Sequence, residues 1–139
     1  MRLEAMPALL SARSCHACCV VRGALVVLGG MAPGGGSSQG IAPTSRVEML
    51  SKEAGAFVEL PPLSRGGISF AAAIVVDESD SALGQVLLLG GYDQDHEETS
   101  AVFLVDLATG VCTPQAPLLH ARFFFAAAGL PDGRVIYAG

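Results

Sequence analysis

Short runs of hydrophobic residues, bounded by glycine, proline, aspartate or serine, recur along this chain. Two of them end in a double glycine: Leu25-Val26-Val27-Leu28-Gly29-Gly30 and Val86-Leu87-Leu88-Leu89-Gly90-Gly91. A third run, Val135-Ile136-Tyr137-Ala138-Gly139, has a single glycine at the same place. Short runs rich in Val, Ile and Phe predict β-strands, and no stretch keeps the 3.6-residue period of a helix. We therefore expect an all-β fold made of repeated units.

Three prolines mark a regular repeat. Pro7, Pro62 and Pro117 are equally spaced, because 62 − 7 equals 117 − 62. The segment that starts at Gly55 is followed by a similar one at Gly110, at the same interval (110 − 55). We call this interval the proline spacing. It predicts repeat units at 7–61 and 62–116, and a truncated unit at 117–139.

The glycine doublets do not follow the proline spacing, because 90 − 29 = 61 and 139 − 90 = 49. The connection 77–84 is longer than its counterpart 22–23, and the connection 92–99 is shorter than 31–44. Length changes confined to connections are expected of packed repeats.

Each complete unit is predicted to hold four short strands. The turns between them are too short for crossover helices, which favours antiparallel pairing. The predicted strands are 14–21, 24–30, 46–50 and 56–59, then 69–76, 85–91, 101–106 and 111–114, then 123–128 and 134–139.

Three features carry a resemblance to kelch repeats over essentially the whole chain, 1–139. The segment from Arg46 to Leu63 resembles the third and fourth strands of a kelch unit, the segment from Ala12 to Ala17 resembles the start of its first strand, and the double glycines match the kelch hallmark. The resemblance implies a partial kelch-type β-propeller of about two and a half four-stranded antiparallel blades. Its structural motif positions are Gly29, Gly30, Gly55, Phe57, Gly90, Gly91, Gly110 and Gly139.

The chain departs from the kelch pattern at aromatic positions. Kelch units usually carry a Tyr on the third strand and a Trp on the fourth. Here Leu50 and Val105 occupy the first position, Phe57 and Cys112 occupy the second, and the chain contains no Trp. Because propellers close with 4–8 blades, we expect the remaining blades to lie outside this chain.

The stretch from Pro117 to Gly139, which contains Ala121-Arg122-Phe123-Phe124-Phe125-Ala126, is similar to plant F-box/kelch proteins. That resemblance implies a protein-interaction module that recognises a ubiquitination substrate for a ligase, although the chain holds no F-box. Two other functions remain open: a structural or cytoskeletal kelch scaffold, and a fragment of a kelch-like copper oxidase. Oxidase chemistry requires tyrosines, a cysteine and histidines at one metal, and Tyr92 and Tyr137 both lie beside glycine-doublet positions. We expect no enzymatic activity and no cofactor.

The composition and net charge limit the classes of partner that the chain is expected to bind. The net charge is −5, and no Lys/Arg cluster supplies the basic surface that nucleic-acid binding needs. No apolar run reaches the length of a membrane span, and the N-terminus lacks the apolar core of a secretory signal. We expect a cytoplasmic or nuclear protein with a protein partner. Because 51% of the residues are hydrophobic, only 15% are charged and strand edges are expected to be open, we expect the isolated chain to be insoluble or oligomeric.

Four residues are candidate partner-binding groups. Arg13, Arg65 and Arg122 each precede a predicted first strand, and His120 aligns with Arg65 on the proline spacing. In kelch proteins such loops open onto one end of the central channel, where arginines contact partner carboxylates. The planar, permanently charged guanidinium suits that task.

No metal site is expected. In Cys15-His16-Ala17-Cys18-Cys19 the cysteines three apart would point to opposite faces of a strand. The acidic segment from Tyr92 to Thr99 lacks the pattern of a calcium loop and is predicted to be a solvated turn.

Overall fold

The computed structural model describes residues 1–34, 40–76 and 80–139, and within these ranges the regular structure is entirely strand. The prediction of an all-β fold is therefore confirmed. The strands are β1 (Ala17–Val21), β2 (Ala24–Leu28), β3 (Met31–Pro33), β4 (Ile41–Pro43), β5 (Val47–Ser51), β6 (Ala56–Leu60), β7 (Ile68–Ser69), β8 (Ala72–Val76), β9 (Gln85–Leu89), β10 (Tyr92–Asp93), β11 (Val102–Asp106), β12 (Cys112–Gln115), β13 (Ala126–Gly129) and β14 (Val135–Ala138).

Two four-stranded antiparallel sheets and one hairpin form the body of the molecule. The first sheet has the order β1-β2-β5-β6, the second has the order β12-β11-β9-β8, and β13 pairs with β14. The first strands of the three sheets are neighbours, because β1 packs on β8 and β8 packs on β13. This arrangement agrees with the predicted partial kelch-type propeller of about two and a half blades.

The hydrophobic core lies between successive sheets. One cluster joins the first sheet to the second, and a smaller one joins the second sheet to the hairpin β13–β14. Burying one apolar face of each sheet against the next is the main source of stability in such repeats. The first cluster includes Val26, Leu28, Val47, Leu63, Ile68, Val86, Leu88, Val105 and Leu107, and the second is built from Ile74, Leu89, Val102 and Leu118.

The glycine doublets connect one unit to the next. Gly30 donates its N–H to the oxygen of Ile68 at 2.8 Å, and Gly91 donates to the oxygen of Arg122, also at 2.8 Å. Gly30 has φ 106°, and a Cβ placed on it would lie 2.6 Å from the oxygen of Ser14. The position therefore requires glycine both for its backbone conformation and for the close approach of Ser14, which precedes β1.

Hydrogen bonds in the connections repeat with the proline spacing. Leu63 N–H binds the oxygen of Ser45 at 2.9 Å, and at the equivalent place in the next unit Leu118 N–H binds the oxygen of Ser100 at 2.8 Å. The unit boundaries at 61/62 and 116/117 stay a prediction. Parts of the connections 31–44 and 77–84 lie outside the described residues.

The first strands of the units are shorter than predicted. They begin at Ala17, Ala72 and Ala126 rather than at positions 14, 69 and 123. Each is preceded by a non-glycine residue with positive φ, which cannot continue a strand. These residues are Cys15 (φ 56°), Phe70 (φ 53°) and Phe124 (φ 53°).

The short pairs β3–β4 and β7–β10 were not predicted. The first is a hairpin that follows the glycine doublet of the first unit, and its strands belong to a connection expected to be irregular. In the second, Tyr92 pairs with Ser69, just as Met31 forms a bridge with Ser14 in the preceding unit. Each segment is two or three residues long, below the length at which a hydrophobic pattern is recognisable.

Candidate functional site

The structure buries the side chain of Arg13 completely within the first unit. Its guanidinium forms an ion pair with Glu48 of β5 and donates to the backbone oxygens of Gly29 at 3.0 Å and Arg46 at 2.9 Å. Glu48 is also buried and accepts a hydrogen bond from the N–H of Leu10 at 2.6 Å. Arg13 therefore joins three segments of its own unit, and its charge is directed to an internal carboxylate rather than to the surface.

Arg65 lies half-buried over an aromatic ring of the second unit. Its Cζ is 4.8 Å from the ring centroid of Phe103 in β11, which is the geometry of a cation–π contact. Burial lowers the pKa of Arg65, while nearby Cys112 and Asp93 act in the opposite direction.

Arg122 and His120 lie before the third first strand. The Arg122 guanidinium donates to the oxygen of Gly139 at 3.0 Å and lies 4.9 Å from the ring centroid of Tyr137. His120 is exposed to solvent. The two residues thus differ in setting, because Arg122 packs on its own hairpin while His120 is on the surface of the preceding loop.

Arg122 occupies the position of Arg13 rather than that of Arg65. Both arginines bind the oxygen of the first glycine of their own doublet position, Gly29 or Gly139. In the middle unit Ile68 holds this position. Its oxygen accepts a hydrogen bond from Gly30, the second glycine of the preceding doublet, just as the oxygen of Arg122 accepts one from Gly91. The strict proline spacing aligns Arg122 with Gly67 instead. It misses the true correspondence because the loop before β13 is one residue shorter than the loop before β8.

Several aromatic side chains gather where the loops before β8 and β13 meet the loop that contains β10. We call this cluster the Phe-rich surface; it consists of Phe70, Tyr92, Phe123 and Phe124, and His96 contacts its margin. Ring centroids are 4.1 Å apart for Phe70–Phe124, 5.9 Å for Phe70–Phe123, 6.1 Å for Tyr92–Phe123 and 5.9 Å for Tyr92–His96.

The Phe-rich surface is open to solvent. Phe124 is 70% exposed and Phe123 is 40% exposed. A shallow groove adjoins them, lined by Cys15, His16 and Phe70 among others. Burial and the nearby Arg13 lower the pKa of His16, while Glu48 opposes this shift. Large aromatic side chains exposed as a group are typical of surfaces that bind another molecule.

An acidic turn borders this surface. Asp93 organises it, since its Oδ1 accepts the N–H groups of Asp95 at 2.9 Å and Glu97 at 3.1 Å. Asp95, Glu97 and Glu98 are exposed. Their side chains place negative charge beside the aromatic cluster, as expected for a solvated turn.

The cysteine segment does not gather metal ligands. Among the residues that the structure describes, no group of three His, Cys, Asp or Glu side chains could hold a metal ion. Cys18 is exposed. The pKa of Cys19 is raised to about 11, mainly by burial and to a smaller extent by the neighbouring Cys18. The positive φ of Cys15 also breaks the regular alternation of side chains expected along this segment.

Three further positions of the kelch motif, Phe57, Gly55 and Gly110, belong to the packing and the turns of their units. Phe57 is buried in β6 opposite Leu50. Gly55 has φ 62° and open space around it, whereas a Cβ on Gly110 would lie 2.1 Å from the oxygen of Pro62.

Sequence reasoning did not predict the Phe-rich surface as a site. The run of three phenylalanines was the available signal, but it does not reveal which of them face solvent. Phe125 packs into the core with Tyr137, whereas Phe123 and Phe124 reach the surface because the positive φ of Phe124 interrupts the strand.

Comparisons with known proteins agree with the repeat architecture. The family model of the Kelch motif matches residues 12–64, which supports a kelch-repeat family. None of the curated proteins matches the chain. Within the described ranges there is no apolar helix of the length that a membrane span requires.

Proposed function

We propose that this kelch-repeat chain is a protein-interaction module and that the Phe-rich surface is its contact with the partner. The observation that carries the proposal is the exposure of Phe123 and Phe124 beside Phe70 and Tyr92. Kelch motifs are typically found in non-catalytic, protein-binding domains, so the family match and this surface favour the same class of function.

Aromatic side chains suit this role because they bury a large area with little loss of conformational entropy. Phe124 is held on a backbone with φ 53°, bonded through its N–H to the oxygen of Phe70 at 3.3 Å. The ring is therefore presented from a fixed backbone. The acidic turn at Asp95, Glu97 and Glu98 favours a partner segment with an apolar anchor and basic flanking residues.

Among the candidate polar contacts, His120 and Arg122 precede this surface in the same loop. His120 is exposed and can reach a partner at the margin of the Phe-rich surface. Arg65, half-buried over Phe103, contributes a cation close to Asp93. Arg13 supports the first unit through Glu48, and a role for it in partner binding requires opening of that pair.

We further propose that the partner is a ubiquitination substrate, with the chain acting as the substrate-recognition part of a ligase adaptor. Support for this narrower role comes from the similarity of residues 117–139 to plant F-box/kelch proteins. Its test is co-purification of cullin–RING ligase subunits with the protein isolated from its natural source. Purification without such subunits would remove the adaptor role and leave the interaction module intact.

The interaction module itself is tested with a phage-displayed library of peptides. We expect the wild-type chain to select peptides with an aromatic or aliphatic anchor and basic neighbours. The variants Phe123→Ser and Phe124→Ser should each weaken binding of the selected peptides at least tenfold. Val20→Ser, which alters a residue 60% exposed on β1, is the matched control and should leave binding unchanged. Equal binding to all variants would contradict the assignment of this surface.

A further inference from the structure

Three rings of the Phe-rich surface form a group that we call the aromatic triad: Phe70, Tyr92 and Phe123. The ring centroid of Phe123 is 5.9 Å from that of Phe70 and 6.1 Å from that of Tyr92. The corresponding ring planes are inclined by 56° and 59°, so the ring faces point in different directions and do not form a parallel stack. Phe123 is 40% exposed and the other two residues are partly exposed. The triad therefore offers aromatic surface to a ligand.

Backbone hydrogen bonds hold the three rings in place. Tyr92 pairs with Ser69 where β10 meets β7, and Phe70 follows Ser69 directly. The N–H of Phe124, the residue after Phe123, binds the oxygen of Phe70 at 3.3 Å. The rings are thus carried by backbone segments that are bonded to one another, which preorganises the triad for binding.

The turn that follows Tyr92 carries carboxylates without ion-pair partners. Tyr92 forms a β-bridge with Glu98, which brings the turn back beside the triad. Asp95, Glu97 and Glu98 are exposed, and no cationic side chain of the described residues lies within 4.0 Å of their carboxylates. The triad is therefore bordered by negative charge, which attracts a cationic group.

The rings of the triad have no cation over them within the part of the chain that the structure describes. There, Arg65 lies over Phe103 and Arg122 lies over Tyr137, and neither contact involves the triad. A cation is attracted to an aromatic face when it lies within about 6 Å of the ring centroid. Because neighbouring centroids of the triad are themselves separated by about that distance, one cation can lie within reach of more than one ring.

We infer that the aromatic triad binds the methylated ammonium group of a lysine side chain in the partner polypeptide. This inference rests on the proposed function and specifies the chemistry of the partner at the Phe-rich surface. An unmethylated ammonium group is strongly hydrated, and the triad offers mainly ring faces in place of that water. Methylation keeps the charge of lysine and replaces its N–H donors with apolar methyl groups. The triad therefore favours the methylated form, while the acidic turn attracts the charge of either form.

A choline headgroup carries the same methylated ammonium chemistry but is the less favourable source. In phosphatidylcholine the trimethylammonium group is accompanied by a phosphate, and the carboxylates of the acidic turn repel that anion. A lysine side chain brings no such anion. We therefore assign the ligand to a polypeptide.

The experiment uses a short synthetic peptide with one central lysine flanked by leucine and glycine, labelled for fluorescence anisotropy. It is prepared with lysine, with Nε-trimethyl-lysine, and with an uncharged analogue in which a tert-butyl group replaces the trimethylammonium group. We expect the full chain to bind the trimethyl-lysine peptide at least fivefold more tightly than either of the other two. Vesicles of phosphatidylcholine should not carry the chain in a flotation assay.

Variants of the protein locate the binding at the triad and the acidic turn. Tyr92→Leu, which keeps an apolar side chain but removes a ring, should abolish the preference for the methylated peptide, and Tyr92→Phe should retain it. Glu97→Gln should weaken binding of the two charged peptides and not that of the uncharged one. Glu53→Gln, which removes an exposed carboxylate from the turn between β5 and β6, is the matched control and should change none of the affinities.

The comparison of the three peptides on the wild-type chain decides even if Tyr92→Leu does not fold. Equal affinity for the lysine and trimethyl-lysine peptides, equally tight binding of the uncharged peptide, no binding of any of the three, or binding to the vesicles would each overturn the inference. The proposed function is decided separately, because display-selected peptides whose binding is weakened by Phe123→Ser would still establish the Phe-rich surface as a contact.

Discussion

Gly30 donates its backbone N–H to the carbonyl oxygen of Ile68 at 2.8 Å, and this bond joins the first unit to the second. A side chain at Gly30 would meet the oxygen of Ser14 and would have to adopt φ 106°. We expect Gly30→Ala to lower the free energy of unfolding by about 3 kcal/mol, measured by urea denaturation.

The control for this change is Gly55→Ala. Gly55 also has positive φ, 62°, but has no atom within 4 Å of the added methyl group. It should cost only about 1–2 kcal/mol, the backbone contribution alone. Equal losses in the two variants would show that the close approach of Ser14 contributes nothing to the cost at Gly30.

The buried pair of Arg13 and Glu48 should be strongly coupled. Arg13→Met or Glu48→Leu alone leaves one buried charge without its partner, and each should cost about 3–5 kcal/mol. The double variant removes both charges and should be more stable than the sum of the single effects implies. A double-mutant cycle by denaturation measures this coupling, and simple additivity would mean that the pair contributes no interaction.

Cys19 should make stability decrease at alkaline pH. Its folded-state pKa of about 11 is above its ordinary value of 9.0, because burial disfavours the thiolate. The folded state keeps the proton that the unfolded state loses, so this contribution is present below pH 9 and is lost as pH rises towards 11. Unfolding measured across this range should show a slope that Cys19→Ala reduces. In addition, iodoacetamide should modify the exposed Cys18 before Cys19.

Open strand edges should make the isolated chain associate. The outer edges of β6, β12 and β14 each pair with no further strand in the part of the chain that the structure describes, and Leu119 and Ile136 are exposed large hydrophobic residues. Sedimentation velocity should therefore show concentration-dependent oligomers or loss of soluble protein. Ile136→Lys, on β14, should reduce association, while a sharp monomeric boundary with cooperative melting of the wild-type chain would contradict the prediction.

Hydrophobic patterning predicted the architecture but not the places where the strands begin. The runs ending at Gly29 and Gly90 gave the strands β2 and β9, because burial on both faces leaves continuous apolar segments. The positive φ of Phe70 and Phe124 was not predictable, since a bulky residue normally avoids it and only the surrounding backbone bonds stabilise it.

The candidate site, like the fold, could be predicted only in part from the sequence. The arginines were recognisable from their place before each first strand, but their contacts depend on distant residues such as Glu48 and Phe103. The loop before β13 is also one residue shorter than the loop before β8, so the proline spacing aligns Arg122 with the wrong residue of the second unit. Such a deletion is invisible to a fixed period, because the hydrogen bonds rather than the residue count determine which positions correspond.

Backbone groups make the contacts that recur between units. Phe70 N–H binds the oxygen of Cys15 at 2.8 Å, and Phe124 N–H binds that of Phe70 at 3.3 Å, although a cysteine and a phenylalanine side chain have little in common. A contact between peptide groups places little constraint on side-chain identity. A unit can therefore keep its place beside its neighbours with Val105 and Cys112 at positions where kelch units usually carry aromatic residues. Accordingly, the Kelch motif is matched at residues 12–64, while the later units share hydrogen bonds of the same kind made by different residues.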